Sequence, residues 1–166
     1  MNQNRILLVE DDRITAHLTK RILEREGYQI EQAFNAQNAI AAIFNFSDIA
    51  LILMDIDLGD EIDGMAVAKQ ILEVKNIPII FLSNHDEKEY VEKAEQISPY
   101  GYVVKNSPPS ILFASIRMAF RLWNERSFRN QTGNISLSNQ HLQNILEIGG
   151  LDILASDSEA IEVLLR

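Results

Sequence analysis

Five short apolar runs, each followed by a stretch with helical spacing, fix the kind of fold open to this chain. The runs are residues 5–9, 28–33, 50–54, 77–82 and 101–104. The third ends in Asp55 and opens into a polar loop that runs through Gly59 to Gly64. An apolar run of that length, bounded by a turn, reads as a strand buried on both faces, hence as a central parallel strand. The second run alternates weakly and reads as a more exposed strand, and Pro78 is tolerated near the start of the fourth.

The intervening stretches carry helix signals. Asp12 is placed to cap a first helix with Ile14, Leu18 and Ile22 on one face, and Gly27 stops it. Asn35 caps a second, with Ala36, Ala39, Ile40 and Ile43 facing inward. A third, residues 65–74, turns Ala68, Ile71 and Leu72 inward. A fourth, residues 86–96, is highly charged, with only Tyr90, Val91, Ala94 and the adjoining Ile97 to bury. Ser107-Pro108-Pro109 starts a fifth. Its stripe of Leu112, Ile116, Ala119 and Trp123, flanked by Phe113 and Phe120, should cover the sheet. A second stripe, Ile111, Met118 and Leu122, lies on another side, either under the tail or as a dimer or output contact. This alternation with short connections predicts an α/β fold, a doubly wound five-stranded parallel sheet with five helices. Right-handed crossovers then bring all five carboxyl ends to one edge.

Four of those ends carry chemistry: Glu10 and Asp11 after the first strand, Asp55 after the third, Ser83 after the fourth and Lys105 after the fifth. Each alone has an ordinary reading, as a solvated loop acid, a turn residue, a helix cap or a surface ion-pair partner. Together they are a constellation. Three clustered carboxylates repel one another and call for a cation, and hard oxygen ligands suit Mg²⁺. Asp55 is a competent nucleophile toward phosphorus, giving an acyl phosphate. Lys105 and Ser83 can hold phosphate oxygens.

The segments Ile-Leu-Leu-Val-Glu-Asp-Asp, Leu-Ile-Leu-Met-Asp-Ile-Asp-Leu with the later Asp63-Gly64, Ile-Pro-Ile-Ile-Phe-Leu-Ser and Tyr-Gly-Tyr-Val-Val-Lys stand in the order and spacing of one family. Over residues 4–127 the chain resembles a response-regulator receiver domain of two-component signalling, a flavodoxin-like fold. The resemblance implies that Asp55 is the phospho-acceptor, and that Glu10 and Asp11 bind Mg²⁺ with Asp55 and the backbone carbonyl of Asp57. It implies Ser83 as the switch hydroxyl, Lys105 as the phosphate-binding lysine and Tyr102 as the switch aromatic. A sensor histidine kinase or phosphotransfer protein would donate the phosphoryl group, and the face made by the fourth helix, fifth strand and fifth helix would change to control dimerisation or an output module. On this reading the chain is not an enzyme beyond slow self-catalysed phosphotransfer and dephosphorylation. The sequence departs from the family at Asn106, where proline is usual, and at Asn84, where alanine is usual.

Two rivals are weaker. A phosphatase of the haloacid-dehalogenase type also uses an Asp-x-Asp nucleophile, but on the first strand, with its acidic pair late in the chain; here the pair comes first. A pseudo-receiver usually lacks one of the acids or the lysine, and all are present here.

Residues 128–137 read as a polar linker. Residues 138–166 read as a short helical extension, the start of a downstream domain: Ser138 caps a helix bearing Leu142, Ile145 and Leu146, Gly149-Gly150 stops it, and Ser156 with Glu159 forms a capping box ahead of Ile161, Leu164 and Leu165. His17, His85 and His141 read as exposed polar residues. The 166 residues, 46% apolar, contain no cysteine, which excludes disulfides and thiolate metal sites. The polar amino terminus is no signal peptide, and no apolar run approaches the ~20 residues of a membrane span. The net charge of −9 argues against a nucleic-acid surface on this segment. A cytoplasmic location is expected.

Overall fold

A computed structural model describes residues 5–59, 63–84, 88–98 and 100–148, with side chains as far as Arg129. The elements run β1 (Arg5–Val9), α1 (Arg13–Arg25), β2 (Gln29–Ala33), α2 (Ala36–Asn45), β3 (Ile49–Asp55), α3 (Gly64–Val74), β4 (Ile79–Ser83), α4 (Lys88–Ile97), β5 (Tyr102–Val104) and α5 (Pro109–Ile148). The five strands form one sheet in the order β2-β1-β3-β4-β5, all parallel. This is the flavodoxin-like arrangement, and the strand order reverses between β1 and β3, where such sheets keep their ligand crevice. β3 is buried along its length apart from Ala50, as a central strand requires. β2 lies at the edge, with Gln29 exposed.

Two apolar cores fill the two faces of the sheet. One joins Leu7, Val9, Ile52, Met54 and Phe81 to α2 and α3 through Ala39, Ile43, Ala68 and Ile71. The other joins Ile6, Leu8, Leu51, Leu53 and Ile80 to α1 and α5 through Ala16, Leu23, Ile116 and Ala119. Trp123 meets Tyr100 edge-on at 5.6 Å and Phe120 stacks on Tyr28 at 6.5 Å, extending the α5 contact along the stripe expected to cover the sheet.

Local chemistry sets the helix ends. The Asp12 carboxylate accepts from the Ile14 and Thr15 amides at 2.8 Å each, Asn35 accepts from Asn38 N at 2.8 Å and Asp63 from Ala66 N at 2.8 Å. Gly27 ends α1 with φ 91°, a conformation that side chains rarely adopt. Ser98 was not singled out in the sequence. Its buried hydroxyl accepts from Ile79 N at 3.2 Å and donates to Ile79 O at 2.6 Å, tying the end of α4 to the start of β4.

Gly64 sits where no other residue fits. A Cβ there would fall inside the contact shell of the Asp55 carbonyl oxygen and lie 2.8 Å from the Asp55 carbonyl carbon. Gly64→Ala should therefore cost about 3 kcal/mol in urea unfolding, because backbone must move to admit the methyl group. A loss no larger than that of an exposed substitution would show that the loop relaxes freely.

Two expectations need correction. Ile14 and Leu18 of α1 point outward, 74% and 56% exposed, while Ala16 and Leu23 are buried. Spacing alone leaves the phase of this helix open, since Ala16, Thr19 and Leu23 also recur with helical period, and a small Ala allows close approach to the sheet. Residues 128–137, expected to lack regular structure as a polar linker, are helical backbone within α5. No proline follows Pro109 within α5, and a single interior glycine, Gly133, costs only about 1 kcal/mol. The chain divides into two compact units, residues 1–125 and 126–166, with the division falling within α5. Among described residues no helix is long and apolar enough to cross a membrane. His17 is exposed as expected. His85, the 86 start of the fourth helix, the Gly149-Gly150 stop and the Ser156 to Glu159 box fall outside the described residues.

Candidate functional site

Asp55 is the last residue of β3 and is 1% exposed. Backbone bonds fix the chain just past the strand: Ile56 N donates to Leu82 O of β4 at 3.0 Å, and Gly64 N at the start of α3 donates to Ile56 O at 2.8 Å. The carboxylate is held at both oxygens. Asp57 N donates to Oδ1 at 3.0 Å, and Lys105 Nζ donates to Oδ2 at 2.7 Å. Lys105 Nζ also lies 2.7 Å from Glu10 Oε2, and Glu10 is 2% exposed. Glu10 follows β1, its amide donating to Ala33 O at 3.0 Å. Lys105 follows β5, its amide donating to Ser83 O at 2.8 Å. One oxygen each of Glu10, Asp11 and Asp55 lies within 4.8 Å of the others.

An open cleft of about 410 Å³ lies over these groups, lined by Glu10, Asp11, Asp12, Thr15, Asp55, Asp57, Asn84, Lys105 and Asn106. The structure thus brings together five of the residues singled out in the sequence, Glu10, Asp11, Asp55, Asp57 and Lys105. Ser83 ends β4 next door but is fully buried and does not line the cleft; its neighbour Asn84 does. Tyr102, half-buried, packs against the core on the α2 and α3 face of the sheet, as do Tyr90 and Ile97 of α4. Thr15 was missed in the sequence. Its only signal was its place in the first turn of the helix that Asp12 caps. The Lys105–Asn106 bond is trans, since the described residues contain no cis peptide bond.

The electrostatics favour a bound cation. Burial pushes the Glu10 carboxyl up to about 7; the Lys105 hydrogen bond opposes this and the Asp55 charge adds to it. Burial also pushes Lys105 down, but its hydrogen bonds to Asp55 and Glu10 win and hold its ammonium above the ordinary lysine value. One ammonium thus serves two buried carboxylates, with Asp11 exposed beside them. Gly59, at φ 67°, brings backbone close to this acid: a Cβ there would stand 2.5 Å from Asp11 Oδ2. Oxygen ligands with surplus negative charge are the donor set of a hard divalent cation, so the residues fit Mg²⁺.

A pH dependence follows. A carboxyl raised above its ordinary value binds its proton more tightly folded than unfolded, so its contribution is retained at low pH and lost as pH rises from about 4.5 through about 7. Stability without divalent cations should fall over that range by on the order of 3 kcal/mol, and Glu10→Gln should flatten the fall. Chemical denaturation in chelator across the range checks it; parallel profiles for the two proteins would contradict it.

Comparison with known proteins decides the family. The sequence matches the family described as "Response regulator receiver domain" over residues 6–117. The chain belongs to that family. It is 30% identical over 161 residues to the "Transcriptional regulatory protein SrrA" of Staphylococcus aureus, covering 97% of this chain and 62% of that protein. The chain thus spans less than two thirds of the length of this curated relative. Among solved structures it is similar to the N-terminal domain of a response regulator/sensory box/GGDEF 3-domain protein from Carboxydothermus hydrogenoformans, with 35% identity, 74% of this chain and 98% of that one covered, and a TM-score of 0.68. A CheY-like receiver domain protein from Methanospirillum hungatei gives 27% identity, 75% and 99% coverage and a TM-score of 0.67. The receiver domain is a regulatory module of two-component signalling, and the parallel sheet with its two helical layers is its fold.

Proposed function

We propose that Asp55 is the phospho-acceptor of a two-component system. The observation that carries this is the grip on its carboxylate: buried at the end of β3, bonded by Asp57 N and Lys105 Nζ, with Glu10 and Asp11 beside it. A carboxylate oxygen of Asp55 attacks the phosphorus of a phosphohistidine presented by a sensor histidine kinase or phosphotransfer protein. The phosphorus–nitrogen bond breaks, and the imidazole leaves with its electron pair and takes up a proton. Glu10, Asp11, Asp55 and the Asp57 carbonyl would hold Mg²⁺, which when bound neutralises charge on the phosphoryl oxygens. Lys105 gives up its bond to the Asp55 oxygen that becomes the bridging oxygen of the acyl phosphate and pairs with a phosphoryl oxygen.

The acyl phosphate adds about −1.5 to −2 charge and new acceptor oxygens. Ser83 turns toward them, and Tyr102 moves into the space this opens. Helix α4 is suited to respond. It buries only Ala94 and carries exposed pairs, Lys93–Glu89 at 2.7 Å and Lys88–Glu92 at 3.3 Å, which hold it weakly. The α4–β5–α5 face then controls dimerisation or an output module. Residues 4–127 form the receiver. The acidic balance of the chain goes with no nucleic-acid contact through this segment; a cytoplasmic location is part of the same reading.

A receiver takes one phosphoryl group and loses it slowly, whereas a phosphatase cycles. With acetyl phosphate or phosphoramidate and Mg²⁺, the protein should take up one phosphoryl group per chain and show no sustained turnover of p-nitrophenyl phosphate. Multiple turnovers would move the assignment to a phosphatase.

A further inference from the structure

Gly59 lies in the loop between β3 and α3, four residues past Asp55, with φ 67°. A Cβ there would meet only Asp11 among the described residues, 2.5 Å from Oδ2 and 3.6 Å from Cγ. The Asp11 carboxylate thus fills the space where any other residue at 59 would put its first side-chain carbon. Glu10 and Asp55 are each held by Lys105 Nζ at 2.7 Å. Asp11 is exposed and stands outside that clamp, yet one of its oxygens lies within 4.8 Å of an oxygen of each.

We infer that Gly59 is a positioning residue for the divalent cation: having no side chain, it lets the Asp11 carboxylate lie over the β3–α3 loop and face Glu10 and Asp55. This role rests on the reading of those three acids as the Mg²⁺ site. Mg²⁺ demands near-ideal octahedral geometry, with oxygens at about 2.0–2.1 Å. Carbon and oxygen in close non-bonded contact lie about 3.3–3.6 Å apart, so a methyl group at 59 displaces Asp11 Oδ2 by roughly 1 Å. The obstacle is the tip of a flexible side chain, so Asp11 swings aside and the backbone stays. At Gly64 the obstacle is the Asp55 backbone itself, and there the fold bears the cost. At Gly59 the metal site bears it. Gly27 separates strain from contact. It has φ 91°, and a Cβ there would meet nothing within 4 Å, so a substitution strains the backbone without touching a neighbour. It also follows the end of α1 opposite to the one that Asp12 caps beside the site.

The test is a Mg²⁺ titration of the full chain without phosphodonor, followed by NMR of the Asp11 and Asp55 carboxyl carbons. Both carbons should respond in the unsubstituted chain. Gly59→Ala should weaken Mg²⁺ about tenfold or more, the usual loss when a group that orients a metal ligand is changed. It should also shrink the response of the Asp11 carbon relative to that of Asp55. Gly59→Asn carries the same Cβ on a residue that tolerates positive φ, and should weaken Mg²⁺ alike. Gly27→Ala should lower the urea midpoint as Gly59→Ala does and leave Mg²⁺ affinity unchanged. Unchanged affinity in Gly59→Ala, full affinity in Gly59→Asn, an equal loss in Gly27→Ala, or an undiminished Asp11 response would each overturn the role of Gly59 while leaving the metal site in place. If Mg²⁺ moves neither carbon in the unsubstituted chain, the metal reading falls and this role falls with it.

Discussion

Asp55→Asn should give a folded domain that takes up no label from acetyl phosphate or phosphoramidate. The substitution keeps the shape of the side chain and leaves one oxygen to accept from Asp57 N, the partner of Asp55 Oδ1 at 3.0 Å. It removes the nucleophile, because an amide oxygen does not displace a leaving group from phosphorus on this timescale. The other half of the amide cannot accept from Lys105, which donates to Asp55 Oδ2 at 2.7 Å. Two donors then face each other in a buried site, at a cost of about 1–3 kcal/mol, moderated because Lys105 keeps Glu10 as a partner. Labelling should fall to background while urea unfolding remains cooperative. Labelling at the unsubstituted level would place the acceptor elsewhere.

Lys105→Ala should have the second-largest effect, on two readouts at once. Among the described residues Lys105 is the ammonium that pairs with both Asp55 and Glu10, whose side chains are 1% and 2% exposed. Removing one side of a buried ion pair typically costs about 3–5 kcal/mol, because the remaining charge has no compensation. The loss should fall toward the lower end, since Glu10 already titrates near 7 and can take a proton. Stability of the variant should therefore recover as pH falls below neutrality. Labelling should drop at least about a hundredfold, the usual consequence of removing a preorganised donor from developing charge. Lys105→Arg keeps the charge but replaces a compact ammonium with a planar fork, and should rescue stability more than labelling. Normal labelling in Lys105→Ala would remove Lys105 from the phosphate site.

Most of the site was legible in the sequence because topology places it. Once the alternation of strands and helices implies a doubly wound parallel sheet, the residues after β1, β3 and β5 must share an edge, and Glu10, Asp11, Asp55 and Lys105 do. What was not legible depends on packing. The phase of α1 could not be read from Ile14, Leu18 and Ile22, because two apolar rows share the helical period and the one through Ala16 and Leu23 is the one buried. The clamp from Ser98 to Ile79, and the bonds from Lys75 Nζ to the carbonyls of Ser47 and Ile49 at 3.3 and 3.2 Å, join residues far apart in sequence and leave no local signal. Residues 128–137 look like a linker by composition. They continue α5 because a helix already nucleated by its packed first turns extends through polar residues and one glycine at little cost. Ser83 and Tyr102 stand where the resemblance puts them in the sequence, at the end of β4 and the start of β5, but outside the cleft lining. The roles proposed for them concern the phosphorylated state.

The central claim is that the phosphoryl group resides on Asp55. Borohydride reduces an acyl phosphate of aspartate to homoserine, which marks the acceptor permanently. After labelling with acetyl phosphate and Mg²⁺, reduction and peptide mass spectrometry should find homoserine at position 55 and nowhere else. Homoserine at Asp11, Asp57 or another acid, or a labelled chain with residue 55 unchanged, would contradict the account.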